Sequence, residues 1–223
     1  MKFMKSVFPV FLALALIVLV VGCARKPPVI TKIDPASGSL GGGTAVTISG
    51  TGFKVGDTVS IGGVAATGVT VKPGKTSTVS ATVPAGTVTG PVDVIVASKD
   101  GKVKSAAKTF TYYEDVVVTM TAPENMAELA SAPSKVDVTF NQDVAVDSVT
   151  VAVADAEGTP VEGATAQDAA DTKMFSFTPT APFAAGKDYT VTVSGAKGMY
   201  DNVIPADHTF SFKVLEGAKK GKK

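Results

Sequence analysis

Beyond residue 22 the chain holds 29 valines and 26 threonines but only three leucines, Leu40, Leu129 and Leu215. β-Branched side chains lose χ1 freedom in a helix but pack well on a pleated surface, so this imbalance disfavours helix bundles and coiled coils. The expectation is an all-β chain. Its 22 glycines and 13 prolines supply the turns that many short strands need. A chain that is 45% apolar and 18% charged has the composition of a folding domain, not of a disordered one. One cysteine, Cys23, and one histidine, His208, leave no material for a Cys/His zinc site, a Cys–His nucleophile pair, an iron–sulfur cluster or an intrachain disulfide.

The N-terminus reads as an address. Lys2 and Lys5 precede an apolar run over residues 7–21 that only Pro9 interrupts. Such a run falls short of the roughly 20 residues of a membrane-spanning helix and fits the roughly 7–15 residues of a signal-peptide core. Directly after it, Val20-Val21-Gly22-Cys23 resembles the lipobox of bacterial lipoproteins. The resemblance implies cleavage of a signal peptide over 1–22 and acylation of Cys23, palmitate included, with each buried CH₂ contributing about 0.8 kcal/mol of membrane affinity. An uncleaved membrane anchor and a plain secretory signal are the rival readings. Ala24 stands where an Asp would resemble the enteric inner-membrane retention signal, so the expected location is the outer membrane, on its periplasmic face or at the cell surface.

Residues 23–28 form the expected lipidated tether, stiffened by Pro27-Pro28. Short β-branched or alternating runs follow at 29–33, 44–49, 58–61, 69–71, 78–83, 92–97 and 108–113, as many as one β-sandwich needs. The turns are distinctive. Ile33-Asp34-Pro35-Ala36-Ser37-Gly38-Ser39-Leu40-Gly41-Gly42-Gly43-Thr44 leads to Val46-Thr47-Ile48-Ser49-Gly50-Thr51-Gly52-Phe53. Then come Val59-Ser60-Ile61-Gly62-Gly63-Val64-Ala65-Ala66, Val83-Pro84-Ala85-Gly86 and Thr109-Phe110-Thr111-Tyr112. In order and spacing these resemble the IPT/TIG family of immunoglobulin-like domains, the plexin and transcription-factor type, over residues 29–113. No Lys-Ser/Thr pair opening a helix follows Gly41 to Gly43, so the glycines are not a phosphate cradle.

Composition shifts at Glu114-Asp115. Residues 29–113 carry eight lysines against four acids, whereas 114–214 carry five lysines against fifteen acids. A second domain over 114–214 is expected, with strand runs at 116–120, 135–140, 148–154, 172–177, 189–193 and 209–214. Residues 122–132, bounded by Pro123 and Pro133, are expected to form a loop or a single helical turn. Val136-Asp137-Val138-Thr139-Phe140-Asn141-Gln142-Asp143-Val144, Phe175-Ser176-Phe177-Thr178-Pro179, Pro182-Phe183 to Val193, and Thr209-Phe210-Ser211-Phe212 resemble the bacterial Ig-like domains known from S-layer proteins. That family's late Asp-Gly-Asn appears here only as Asp201-Asn202-Val203. Residues 215–223, with four lysines, are too polar to fold and form the expected disordered tail. The fold class is thus all-β, two tandem immunoglobulin-like sandwiches after a lipoprotein signal peptide.

No catalytic constellation stands out. His208 and Asp207 are adjacent at the start of a strand run, without a nucleophile-elbow motif. Asp143, Asp147, Asp168, Asp171, Asp201 and Asp207 are hard oxygen donors of the kind calcium takes, yet no run follows an EF-hand or repeat-in-toxin spacing. Neither a metal nor a cofactor is therefore assigned, and an exported chain with an acidic second domain has little attraction for nucleic acid. A carboxylate-pair enzyme is the remote rival. The expected function is that of a non-enzymatic, lipid-anchored cell-envelope protein, a spacer and interaction module in adhesion or assembly. Its partner would be an envelope or extracellular protein or glycan, met through loops such as 55–57 and 73–75 or through an edge strand. The alternative is an accessory glycan- or protein-binding subunit of an envelope polysaccharide-processing or export complex. Exposed tyrosines among Tyr112, Tyr113, Tyr189 and Tyr200 would favour glycan stacking; buried ones would weaken it.

Overall fold

The computed structural model describes residues 25–217. The expected signal peptide over 1–22 with its lipobox-like residues Val20, Val21 and Gly22, the acylation candidate Cys23, and residues 218–223 of the expected tail lie outside the described residues. Among the described residues every regular element is a strand, and no helix is long and apolar enough to cross a membrane. The fold divides into two units, the first built mainly from residues before Tyr112 and the second mainly from Tyr112 onward.

The first sandwich contains β1 (Val29–Asp34), β2 (Ser37–Ser39), β3 (Ala45–Thr51), β4 (Thr58–Ile61), β5 (Val64–Ala65), β6 (Thr67–Lys72), β7 (Ser77–Thr82), β8 (Gly90–Ala97) and β9 (Lys108–Tyr113). One sheet runs β1-β3-β7-β6 and the other β2-β9-β8-β4-β5. Alternation decides the faces. In β3, Val46 and Ile48 are buried while Ala45 and Thr47 meet solvent, as a strand with one packed face requires. Val59, Ile61, Val79, Val94, Val96 and Phe110 are among the other inward residues, each burial contributing roughly 1.5–3 kcal/mol. Gly50 is fixed by close approach: a Cβ there would overlap the Val29 carbonyl oxygen and lie 2.6 Å from the Phe53 ring. Gly42 adopts φ +79°, and a side chain there would meet the Ala85 nitrogen at 2.5 Å.

The second sandwich contains β10 (Val118–Ala122), β11 (Ala127–Leu129), β12 (Val136–Phe140), β13 (Thr150–Asp155), β14 (Gly163–Gln167), β15 (Met174–Pro179), β16 (Asp188–Ser194) and β17 (His208–Val214). Its sheets run β10-β12-β15-β14 and β11-β17-β16-β13. Aromatic rings dominate this core. Phe140 meets Phe175 edge-on at 5.9 Å, and Phe212 takes Phe183 edge-on at 5.2 Å and Tyr189 stacked at 5.3 Å. The Tyr189 hydroxyl accepts the Ala184 N–H at 2.7 Å, five residues upstream, much as the tyrosine corner of Ig-type sandwiches ties a loop to the start of a strand.

Residues 127–129 form neither a loop nor a helical turn but a strand. β11 pairs in parallel with β17, and Ala127 and Leu129 pack against the core. The left-handed backbone of Met126 (φ 63°) and its N–H bond to the Ser211 carbonyl at 2.6 Å bring the segment alongside β17.

Candidate functional site

Strand register places the ends of the first sandwich. Val29 pairs with Thr51, Gly50 with Ser77, Lys72 with Thr78 and Thr58 with Ala97. The chain segment before β1, the β3–β4 loop (52–57), the β6–β7 loop (73–76) and the β8–β9 loop (98–107) therefore share one end. Loops 55–57 and 73–75, expected from sequence to meet a partner, both belong to it.

This end is organised around one ion pair. Arg25 Nη1 donates to Asp57 Oδ1 at 2.6 Å, Nη2 donates to Asp57 Oδ2, and Nη2 also reaches the Gly52 carbonyl at 3.1 Å. The Lys54 N–H donates to Asp57 Oδ2 at 2.9 Å. The Asp57 side chain is only 2% exposed and that of Arg25 16%. Burial pushes the Asp57 carboxyl up, but the Arg25 guanidinium and the Lys54 N–H outweigh it and hold the group below the usual carboxylate range. The hydrogen bond from Arg25 to Asp57 correspondingly raises the guanidinium. Arg25 Nε is buried and has no partner among the described residues. A cleft of about 510 Å³ beside the pair is lined by Arg25, Lys54, Val55, Asp57, Lys99 and Asp100. Val55, 79% exposed, stands at its rim. Asp100 is held below its usual range chiefly by the Ser98 hydroxyl and the Lys102 N–H.

Two further concavities stand out among the described residues. One of about 620 Å³ lies against β4 and β8 and is lined by Ser60, Gly62, Pro91, Asp93, Ile95 and Thr109. The other, about 310 Å³ and largely apolar, sits in the second sandwich among Val161, Thr180, Pro182, Phe183, Ala184 and Tyr189.

Four of the six aspartates considered for calcium are engaged in local structure. Asp143 accepts the Thr172 hydroxyl at 2.6 Å, Asp168 accepts the Ala170 and Asp171 N–H groups, and Asp171 accepts that of Lys173. Asp201 pairs with Lys197 at 2.8 Å. Among the described residues no three His, Cys, Asp or Glu side chains gather as a metal set would. His208 opens β17 opposite Val193, with its ring 6.1 Å from that of Phe210. Asp201 takes φ 60°, and the neighbouring Asn202 is buried, its amide donating to the Glu114 carbonyl at 3.1 Å.

The tyrosines do not form a sugar platform. Tyr112 and Tyr189 are buried, and Tyr113 stacks on Tyr200 at 5.5 Å and 16°. Tyr200, at 42%, is the one well-exposed aromatic among the described residues.

Residues 28–112 match the family model of the IPT/TIG domain, and residues 113–214 match that of a bacterial Ig-like domain. No curated protein matches the chain. Among solved structures, CopC from Methylosinus trichosporium OB3b is similar at 16% identity and a TM-score of 0.40, over 45% of this chain and 93% of that one. The extracellular region of plexin A4 is similar at 18% identity and 0.37, over 87% of this chain and 19% of that one. A Bacteroides ovatus protein, SGBP-B of a mixed-linkage glucan utilization locus, solved with a mixed-linkage heptasaccharide, gives 12% identity and 0.35, over 86% of this chain and 45% of that one. The chain thus spans less than half the length of the last two.

Proposed function

From a chain that is an IPT/TIG domain followed by a bacterial Ig-like domain, we propose a non-enzymatic, lipid-anchored cell-envelope protein whose two sandwiches serve as spacer and interaction module in adhesion or assembly. The anchor is Cys23, acylated after cleavage at Gly22, and the destination is the outer membrane. One observation carries the reading: the Arg25 side chain is fixed on the first sandwich, bonded to Asp57, only two residues after the cysteine of the lipobox-like motif. That spacing suits a protein held close to the bilayer by its first residue, and chains at such an anchor gain partner affinity through effective concentration more than through a deep pocket. Partner binding then falls to the exposed edge strands, such as β6 and β14, and to the loops of the second domain.

Metabolic palmitate labelling with detergent-phase partitioning tests the anchor. The wild-type chain is expected to take label and enter the detergent phase, and Cys23→Ala to do neither; an unlabelled wild type, or a Cys23→Ala chain still in detergent, overturns it. Protease shaving of intact cells then divides the two roles. Cleavage supports surface adhesion, whereas protection until the envelope is opened rejects it in favour of an accessory subunit facing the periplasm.

A further inference from the structure

Resting on the reading that Cys23 carries the acyl chains, we infer that the tether end of the first sandwich is a membrane-docking face, seated on anionic phospholipid headgroups. Two residues of chain span at most about 7 Å, so an acylated Cys23 brings the bilayer surface to within that distance of Arg25. Arg25 is not free to swing away, because both its terminal nitrogens are bound to Asp57 and one also to Gly52. The end of the sandwich that holds Arg25 therefore faces the membrane.

That same end collects the domain's positive charge. Of the eight lysines in residues 29–113, Lys54, Lys72, Lys75, Lys99, Lys102 and Lys104 lie on its loops or at the strand ends flanking them, and all six are exposed. Of the four acids in this stretch, the two at this end are satisfied within the fold: Asp57 by Arg25, Asp100 by Ser98 and Lys102. The other two stand away from it. Asp34 closes β1, and the Asp93 carbonyl accepts the Gly62 N–H at the opposite turn. Val55 adds an exposed apolar side chain amid the lysines. Anchor, fixed guanidinium and lysines thus point one way, and an anionic bilayer is the surface that complements all three. Each lysine near such a surface raises partitioning by about fivefold at best. Loops 55–57 and 73–75 are consequently occupied by lipid and withdrawn from any protein or glycan partner.

The chain from residue 24 to 223 contains no cysteine, so a single introduced thiol carrying an environment-sensitive dye reports one place at a time. It is mixed with phosphatidylcholine vesicles made with or without phosphatidylglycerol. The dye on Val55→Cys is expected to shift to the blue with phosphatidylglycerol vesicles only, and the dye on Val64→Cys, at the opposite end, to stay unchanged. Replacing Lys54, Lys99, Lys102 and Lys104 together by Gln should lower partitioning at least about tenfold with an unaltered melting curve. Ending the chain at residue 217, which removes the lysines of the tail, should leave partitioning intact. The docking face is overturned if the Gln chain binds as wild type does, if binding disappears with the tail, or if both dyes shift alike. These vesicle measurements need no acyl chain, so a failed palmitate label with intact vesicle binding sinks the anchor alone, and the reverse sinks the face alone.

Discussion

Arg25 and Asp57 show what a single pair does for this chain. A carboxylate with a 2% exposed side chain is tolerable because two guanidinium bonds and a backbone N–H satisfy it. Removing one partner of a fully buried pair costs about 3–5 kcal/mol. Arg25 keeps some solvent exposure and Lys54 still donates after its removal, so Arg25→Ala is expected to destabilise the first sandwich by about 2 kcal/mol, read from urea unfolding. The pH dependence has a definite sign. The Asp57 carboxyl sits below its unfolded value, so its contribution is complete above the usual carboxylate range and is lost as pH falls through the folded value. Asp57→Asn should therefore flatten the acid limb of the first domain's stability curve; an unchanged acid limb would show that the pair does not carry it. Sequence reasoning read residues 23–28 as a plain tether and missed the docked Arg25, because its partner lies 32 residues away and no local pattern marks such a pairing.

At the scale of elements, alternation made legible the strands that bury a face. β3, β12 and β16 carry buried and open positions in strict turn and stand out in the sequence. The strands it did not show are β2, β5, β11 and β14, and each is the edge of a sheet. Ser37-Gly38-Ser39 has no apolar residue, and Gly163-Ala164-Thr165-Ala166-Gln167 has only alanines. Such segments become strands because a neighbour offers a ladder, not because their own side chains demand one. Energies should follow the same division. Phe140→Ala, in central β12, should cost about 3–5 kcal/mol, and Leu129→Ala, half-buried on edge β11, less than half of that. Equal losses in chemical denaturation would contradict the division between centre and edge. The Asp201 loop belongs to this scale too, since its left-handed residue is an Asp where the family pattern led the eye to expect a glycine nearby.

For the molecule as a whole, the Val- and Thr-rich composition was enough to disfavour helix bundles and coiled coils, but it was silent on what each core is made of. The first core is mostly aliphatic, with Ile48, Ile61, Val79 and Val94 fully buried, whereas the second is built around Phe140, Phe175, Phe183, Tyr189 and Phe212. Each set is enclosed by the two sheets of its own sandwich, so truncating a core side chain weakens the dispersion attraction inside that sandwich alone. A cavity should then loosen the amides of one domain and leave those of the other as they were. In hydrogen exchange of the chain from residue 24 to 223, Ile48→Ala is expected to lower protection across β1, β3, β4, β7 and β8 while β12, β15 and β16 keep theirs. Phe175→Ala should do the converse. Were either substitution to lower protection in both sandwiches equally, the chain would unfold as one cooperative body, and the division into two self-sufficient cores would be wrong.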